Sequence, residues 1–315
     1  MTRNEQAEPS DALLRETAVP WIGKASYWTP SHLVPSAWHE HAPFMFWLID
    51  ALRPDTYVEL GSHNGFSYFA VCEAVARLGL STRCAAIDSW EGDEHAGFYG
   101  DEVYASVSEI NDRDYAAFSR LIRSYFSDAV AEFPDASIEL LHIDGRHRYE
   151  DALEDFETYL PKLAPTAVVL FHDTFEFDRG FGVHRLWADL AARHPETSFQ
   201  FEHGHGLGVL GIGPDLPVAV RQFFAAARRE PDRIRGDYAR LGSVIESRAE
   251  RDADLAGSRH QVEVLRGEIE ALREHARRLD EAVEAERSRF AEIRDSTAWR
   301  MTAPGRRIVE RLRRR

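Results

Sequence analysis

The chain has 315 residues, with 38 basic and 53 acidic side chains and a formal net charge of −15. An apolar fraction of 44% beside 29% charged residues excludes general disorder and describes a chain able to bury a core. The acidic balance argues against nucleic acid as a partner. The two cysteines, Cys72 and Cys84, argue against a disulfide framework.

Residues 1–35 read as a polar segment without the apolar core of a signal peptide. No apolar run reaches the roughly 20 residues a bilayer span needs, so a cytoplasmic protein is expected. A helix is expected over 36–44. Its His39 and His41 read either as acceptor-site residues or, the favoured reading, as exposed histidines with no such role.

From there short apolar runs alternate with amphipathic stretches. Strands are predicted over 56–60, 84–88, 138–144 and 167–171, with a weaker one over 120–122. Helices are predicted over 67–76, 129–133, 149–163 and 183–192, and a closing antiparallel pair over 198–201 and 207–211. This alternation implies right-handed crossovers and a doubly wound, mostly parallel α/β sheet of seven strands.

The sheet domain is placed at 36–215 and a helical linker at 216–254, so a chain cut near Arg221 should keep its ligand-binding unit. Heptads mark a coiled coil over 255–295. Val262, Ile269, Ala276, Val283 and Phe290 fall at one seam position, and Leu265, Leu272, Leu279, Glu286 and Ile293 at the other. β-Branched residues at the first position with Leu at the second favour a parallel homodimer; an amphipathic helix folded back on the domain is the alternative. Residues 296–315 form a basic amphipathic tail, read as a peripheral contact for the anionic inner face of a membrane or as a solvated end.

In such sheets ligands sit beyond the carboxyl ends of the strands. Four strand ends carry informative residues. The first is the turn Glu59, Leu60, Gly61, Ser62, His63, Asn64, Gly65, Phe66, Ser67, whose following helix points its amides at a ligand. It lacks the G-x-G-x-x-G of a dinucleotide site. The second is Asp88 with Ser89 and Trp90, a carboxylate placed for both ribose hydroxyls beside an aromatic face for adenine. The third is Asp144, Gly145, Arg146, His147, Arg148, Tyr149, with Asp155 one or two turns on; the fourth is His172, Asp173, Thr174. Two carboxylates and imidazoles at neighbouring ends suit a hard cation such as Mg²⁺ or, equally, a histidine general base.

Glu59 to Ser67, Ile143 to Tyr149 and His172 to Thr174 resemble the motifs E-x-G-x-x-x-G-x-S, I-D-G-x-H-x-Y and H-D-T. These are features of a bacterial branch of the class I S-adenosylmethionine-dependent methyltransferases associated with glycan biosynthesis. Residues 88–100 also look family-typical, and the resemblance covers about 38–213. It implies a Rossmann-like methyltransferase fold and a cofactor held by Glu59, Gly61, Ser62 and Gly65 at its methionine end. Asp88 and Ser89 would meet the ribose, Trp90 and the Ser127–Asp128 segment adenine, and Asp144 would also face the cofactor. Asp144, His172 and Asp173 match metal-holding positions in related O-methyltransferases, although His172 departs from the usual acidic or amide ligand. The expected reaction is O-methylation of a sugar hydroxyl, with His147 or His172 as base and Asp144 and Asp173 orienting it. Ser296, Trp299, Arg300, Thr302 and Pro304 are similar to a motif ending bacterial polysaccharide enzymes, which favours a glycan acceptor. The alternatives are an NAD-dependent oxidoreductase on a similar sheet and a non-catalytic coiled-coil scaffold for glycan-synthesis enzymes.

Overall fold

Successive side chains on a strand face opposite ways, and the apolar runs here are apolar in both parities, so both faces of the sheet must be covered. The computed structural model describes residues 19–93, 97–178 and 180–314. In chain order its elements begin with α1 (Ala42–Leu52), β1 (Thr56–Leu60), α2 (Phe66–Leu78) and β2 (Arg83–Asp88). A small antiparallel pair, β3 (Gly92–Asp93) and β4 (Gly97–Phe98), precedes α3 (Asp101–Asp114), β5 (Ser119–Arg123) and α4 (Phe126–Ala129). Then come β6 (Ile138–Ile143), α5 (Tyr149–Tyr159), β7 (Leu163–His172), α6 (Val183–Arg193), β8 (Ser198–Phe201), β9 (Leu207–Gly211) and α7 (Val218–Ala227). The chain continues through α8 (Pro231–Asp295), α9 (Thr297–Met301) and α10 (Ala303–Arg313). One compact unit runs to Arg251 and a second begins at Asp252, a boundary that falls inside α8.

The sheet has the order β5-β2-β1-β6-β7-β9-β8. Its first five strands are parallel, and β9 runs antiparallel to both β7 and β8. This is the seven-stranded, mostly parallel Rossmann-like sheet the sequence implies. Tyr57, Leu140, Val168 and Leu170 enter a core shared with α1 and α2, while Val58, Leu141, Val169 and Phe171 enter another shared with α5 and α6. The chain winds outward from β1 through β2 to β5, then returns to β6 on the other side of β1. That reversal makes the crevice between the β1 and β6 tips the switch point of the sheet.

Several boundaries differ from expectation for local reasons. The helix expected over 149–163 stops at Tyr159, because Pro161 lacks the amide that would extend it. β7 accordingly starts at Leu163. The helix expected over 36–44 starts only at Ala42, with Pro43 in its first turn, and His39–His41 form a 3₁₀ turn. The helix expected over 129–133 starts at Phe126 and ends as a 3₁₀ turn. α3 has no counterpart in the sequence reading: only Val107 and Asn111 on it are buried, so its apolar stripe is faint.

The larger departure lies at both ends of the first unit. Trp21 and Ala25, in the segment read as polar, are buried, and so are Phe223, Phe224, Ile234, Tyr238 and Ile245 in the segment read as a linker. The Phe44 ring of α1 lies 5.4 Å from both Phe223 and Tyr238. Trp21 Nε1 donates to Asp237 at 3.1 Å, and the Tyr238 hydroxyl donates to the Trp21 carbonyl. A Cβ on Gly242 would stand 2.2 Å from the Glu40 carbonyl oxygen, so α8 passes against residues 38–41 as closely as a glycine allows. The sequence signal was present as an apolar stripe but was hidden by the rise in Ala and Arg.

In the second unit, no residue of α8 from Asp252 to Asp295 is buried. Ser296 caps α9 by accepting from the Trp299 amide at 3.2 Å, and the Arg306 guanidinium lies 3.7 Å from the Trp299 ring centre. The terminal motif thus serves a local turn. Among the described residues no helix is long and apolar enough to cross a membrane. A chain ending at Arg251 should keep a cooperative thermal transition by circular dichroism. One ending at Arg221 should lose it, since it discards α7 and the buried face of α8.

Candidate active site

At the switch point the strand tips are knit by backbone bonds. The Gly61 amide donates to the Ile87 carbonyl at 2.9 Å and the Asp144 amide to the Leu60 carbonyl at 2.8 Å. Gly61 has φ 85°, and a Cβ there would lie 2.1 Å from the Asp144 oxygen, so only glycine permits this approach. Beyond the tips opens a cavity of about 840 Å³ whose wall includes Gly61, Ser62, Asp88, Ser89, Ser127, Asp144, His147, His172 and Asp173. Most of the residues singled out from the sequence therefore meet in one place. Four residues around it (His63, Trp90, Asp173 and His205) hold positive φ without being glycine, a concentration of backbone strain typical of functional sites.

Asp88 at the end of β2 is already heavily engaged. One carboxylate oxygen accepts from the Ser62 and His63 amides at 2.8 and 2.9 Å, the other from the Trp90 amide at 2.7 Å. A carboxylate offers about four acceptor sites, which leaves room for about one further donor. The expectation that Asp88 takes both ribose hydroxyls is corrected accordingly. Ser89 and Glu91 line the wall beside it and can take the other.

At the ends of β6 and β7 the charges are paired. His172 Nδ1 lies 3.2 Å from Asp144 Oδ1 and Nε2 3.1 Å from the Gly204 carbonyl. Both partners are acceptors, so both ring nitrogens carry protons. Burial opposes that charge, but the carboxylates of Asp173 and Asp144 hold the imidazole well above its ordinary range. Burial likewise opposes ionisation of Asp173, and His172 and His147 overcome it, so its carboxyl lies far below the usual range. His172 therefore has no free nitrogen with which to act as base or metal ligand, which corrects both expectations for it. His147 Nε2 sits 2.8 Å from Asp173 Oδ2, and its ring stacks on Phe181 with centres 4.5 Å apart.

One oxygen from Asp144, one nitrogen from His147 and one oxygen from Asp173 lie within 4.8 Å of one another. His147 thus replaces His172 in the metal set expected from the sequence. Two carboxylates and an imidazole fit a divalent cation with open positions, and the nitrogen suits a transition ion better than Mg²⁺.

Glu59, Gly65 and Trp90 do not reach the cavity wall. Glu59 shares the face of Tyr57, is fully buried, and accepts from the Tyr57 hydroxyl, from Ser67 Oγ at 3.0 Å and from His142 Nδ1 at 2.9 Å. Strand parity was the signal that places it behind the site. Gly65 caps α2 with φ 82°. Trp90 is buried against Tyr104, its indole donating to the His63 carbonyl at 3.0 Å. His39 and His41 are buried, not exposed, and neither lines the cavity. His39 bonds Glu246 and the Val34 carbonyl, and His41 Nε2 donates to Gly204 at 3.0 Å.

The sequence reading missed Tyr125, Phe126, Glu176, Phe181 and His205, and gave no role to Glu91 and Tyr99 within the family-typical segment 88–100. All but Phe126, the first residue of α4, come from loops, where no periodicity marks direction. Asp155, reaching the cavity from α5, has its carboxyl pushed up to about 7 by burial and by Asp151 and Glu154, against the pull of Arg146.

Residues 58–174 match the family model described as a methyltransferase domain. A protein of Sinorhizobium fredii described as uncharacterised is 52% identical over 181 residues, which are 58% of this chain and 20% of that protein. The chain thus spans about a fifth of the length of that curated relative. Among solved structures, the O-methyltransferase TomG of Streptomyces achromogenes, in complex with S-adenosylmethionine, is 16% identical. The match covers 58% of this chain and 83% of that one, with a TM-score of 0.43. A methyltransferase of Geobacter sulfurreducens is also 16% identical over 64% of this chain and 85% of its own, with a TM-score of 0.42.

Replacing Asp88 by Ala strands three backbone amides, so Asp88→Ala should lower unfolding stability by about 1–3 kcal/mol in urea melts. Asp155 keeps its proton in the fold up to about pH 7, while the unfolded chain releases it near the usual 3.8. Its contribution to stability therefore falls as pH rises from about 4 to about 7. Asp155→Asn should melt above the parent protein at about pH 8, and the difference should vanish below about pH 4.

Proposed function

We propose that the protein transfers a methyl group from S-adenosylmethionine to a hydroxyl, and that this hydroxyl belongs to a sugar of a surface polysaccharide or glycolipid. The observation that carries the reading is a single cavity lined both by Asp88 after β2 and by the His147–Asp173 pair after β6 and β7. The wall fits the cofactor. Ser62 Oγ is buried there without a protein partner, a vacancy that a polar group at the methionine end can fill. Asp88, Ser89 and Glu91 would hold the ribose, and Tyr125, Phe126 and Ser127 the adenine. The bound sulfonium supplies an electrophilic methyl group.

What the chain itself contributes is position and proton acceptance. Holding both reactants in one crevice supplies much of the effect through proximity and orientation. A sugar hydroxyl is a poor nucleophile until its proton is loosened. His147 is the proton acceptor in this reading: the hydroxyl takes the place of Asp173 at Nε2, in the tautomer whose ring proton sits on Nδ1. Asp173 remains ionised beside it and stabilises the imidazolium that forms. The His172 imidazolium fixes Asp144 and Asp173 in place and takes no proton itself. Asn64, Glu176 and His205 beside the flat faces of Trp38 and Phe181 give this cavity the mixture of hydrogen-bonding and stacking groups that sugars use, which supports the acceptor class.

A second reading rests on the 4.8 Å cluster: a divalent cation on Asp144, His147 and Asp173 would loosen the hydroxyl proton instead. Calorimetry should show S-adenosylhomocysteine binding and no NAD binding; the reverse result, or neither ligand, favours the oxidoreductase or the scaffold. With a glycan acceptor, His147→Asn should lower kcat by about 10²–10⁴-fold while leaving cofactor affinity intact. Activity that survives chelation removes the metal reading. Unaltered methylation in the surface glycans of a strain lacking the protein, read by mass spectrometry, removes the glycan acceptor.

A further inference from the structure

We infer that α8 beyond Arg251 is one strand of a parallel, in-register coiled coil with a second copy of this chain. This stretch of helix buries none of its residues within the chain, although helices in proteins draw most of their stability from a packed face. Leu255, Val262, Ile269, Val283 and Phe290 fall at one heptad position. Leu265, Leu272, Leu279 and Ile293 fall three residues further on. All nine are 47–68% exposed. Single exposed apolar residues are ordinary, but nine in a seam of period 3.5 require a facing helix with the same seam. Val and Ile at the first position with Leu at the second suit two strands rather than three or four.

Flanking charges choose the direction. In a parallel pair the residue just before each first-position residue faces, on the other helix, the residue five further along. That pairs Asp254 with Arg259, Glu268 with Arg273 and His275 with Asp280, against one repulsive pair, Arg289 with Arg294. An antiparallel pair instead sets the residues following the first position, four further along, against one another. Five of those six are arginine (Arg259, Arg266, Arg273, Arg287 and Arg294), with Asp280 the exception. Like charges would then line the flank, so the occupant is a second copy running in the same direction. Ser258, Ala276 and Glu286 are the weak layers of the seam.

Light scattering of the full chain should give twice the mass of one chain. A monomer, trimer or tetramer overturns the proposal. The double variant Leu272→Glu and Leu279→Glu should halve the mass while keeping the thermal transition of the first unit; a persistent dimer would move the interface elsewhere and overturn it. For direction, Leu265→Cys lies near one end of the seam, and both native cysteines are buried. Mild oxidation should link this variant to itself in high yield. A dimer that does not cross-link there runs antiparallel or out of register, which also overturns the proposal.

Discussion

The contact between Gly61 and the Asp144 carbonyl is the constraint from which the site follows. The ladder register sets the height at which each strand ends, and the backbone contact between the two loops fixes how closely they approach beyond it. Here the touching pair sits at the switch point of the sheet, so the tips of β1, β2 and β6 end level and their following residues share one crevice. Asp88 reinforces this from β2 by gathering amides from two loops, and β7 adds its charged end on the far side of β6.

Electrostatics divide that crevice into two regions. Near β6 and β7 a buried imidazolium stands between two carboxylates, a net anionic group whose members cannot readily change charge. Behind it, His41 is kept neutral by burial and by the neighbouring His203 and His172, and the buried His142 ring leans on Glu59. His41 Nδ1 and His142 Nε2 are buried without protein partners. Behind the charged groups thus lies an imidazole-rich layer in which His41 is neutral.

Strand ends were legible because a continuous apolar run followed abruptly by Asp, His or Gly can hardly be anything but the end of a buried strand. That rule located Asp88, Asp144 and His172 with Asp173. It failed for Glu59, which lies inside the run and whose parity turns it into the sheet's own core. It failed again for Trp90, because a single positive-φ residue reverses the chain and buries the ring that the next position would have exposed. His172 lines the cavity at the strand end where the pattern put it, but its hydrogen bonding depends on Gly204, a carbonyl 32 residues away that no local pattern announces. The tail of the first unit was misjudged for a different reason. The change in composition near Arg221 was real, yet α7 and the start of α8 still carry enough aromatic and branched residues to finish the core over α1.

Asp88 shows how such a site can evolve. A side chain that secures three main-chain groups is not free to be exchanged when a lineage drifts towards another ligand. Its neighbours Ser89 and Glu91 carry no comparable duty, so change in ligand preference should accumulate there while the aspartate stays. Among descendants of a common ancestor, the invariant position would then record the architecture of the loop, and the variable ones beside it would record chemistry.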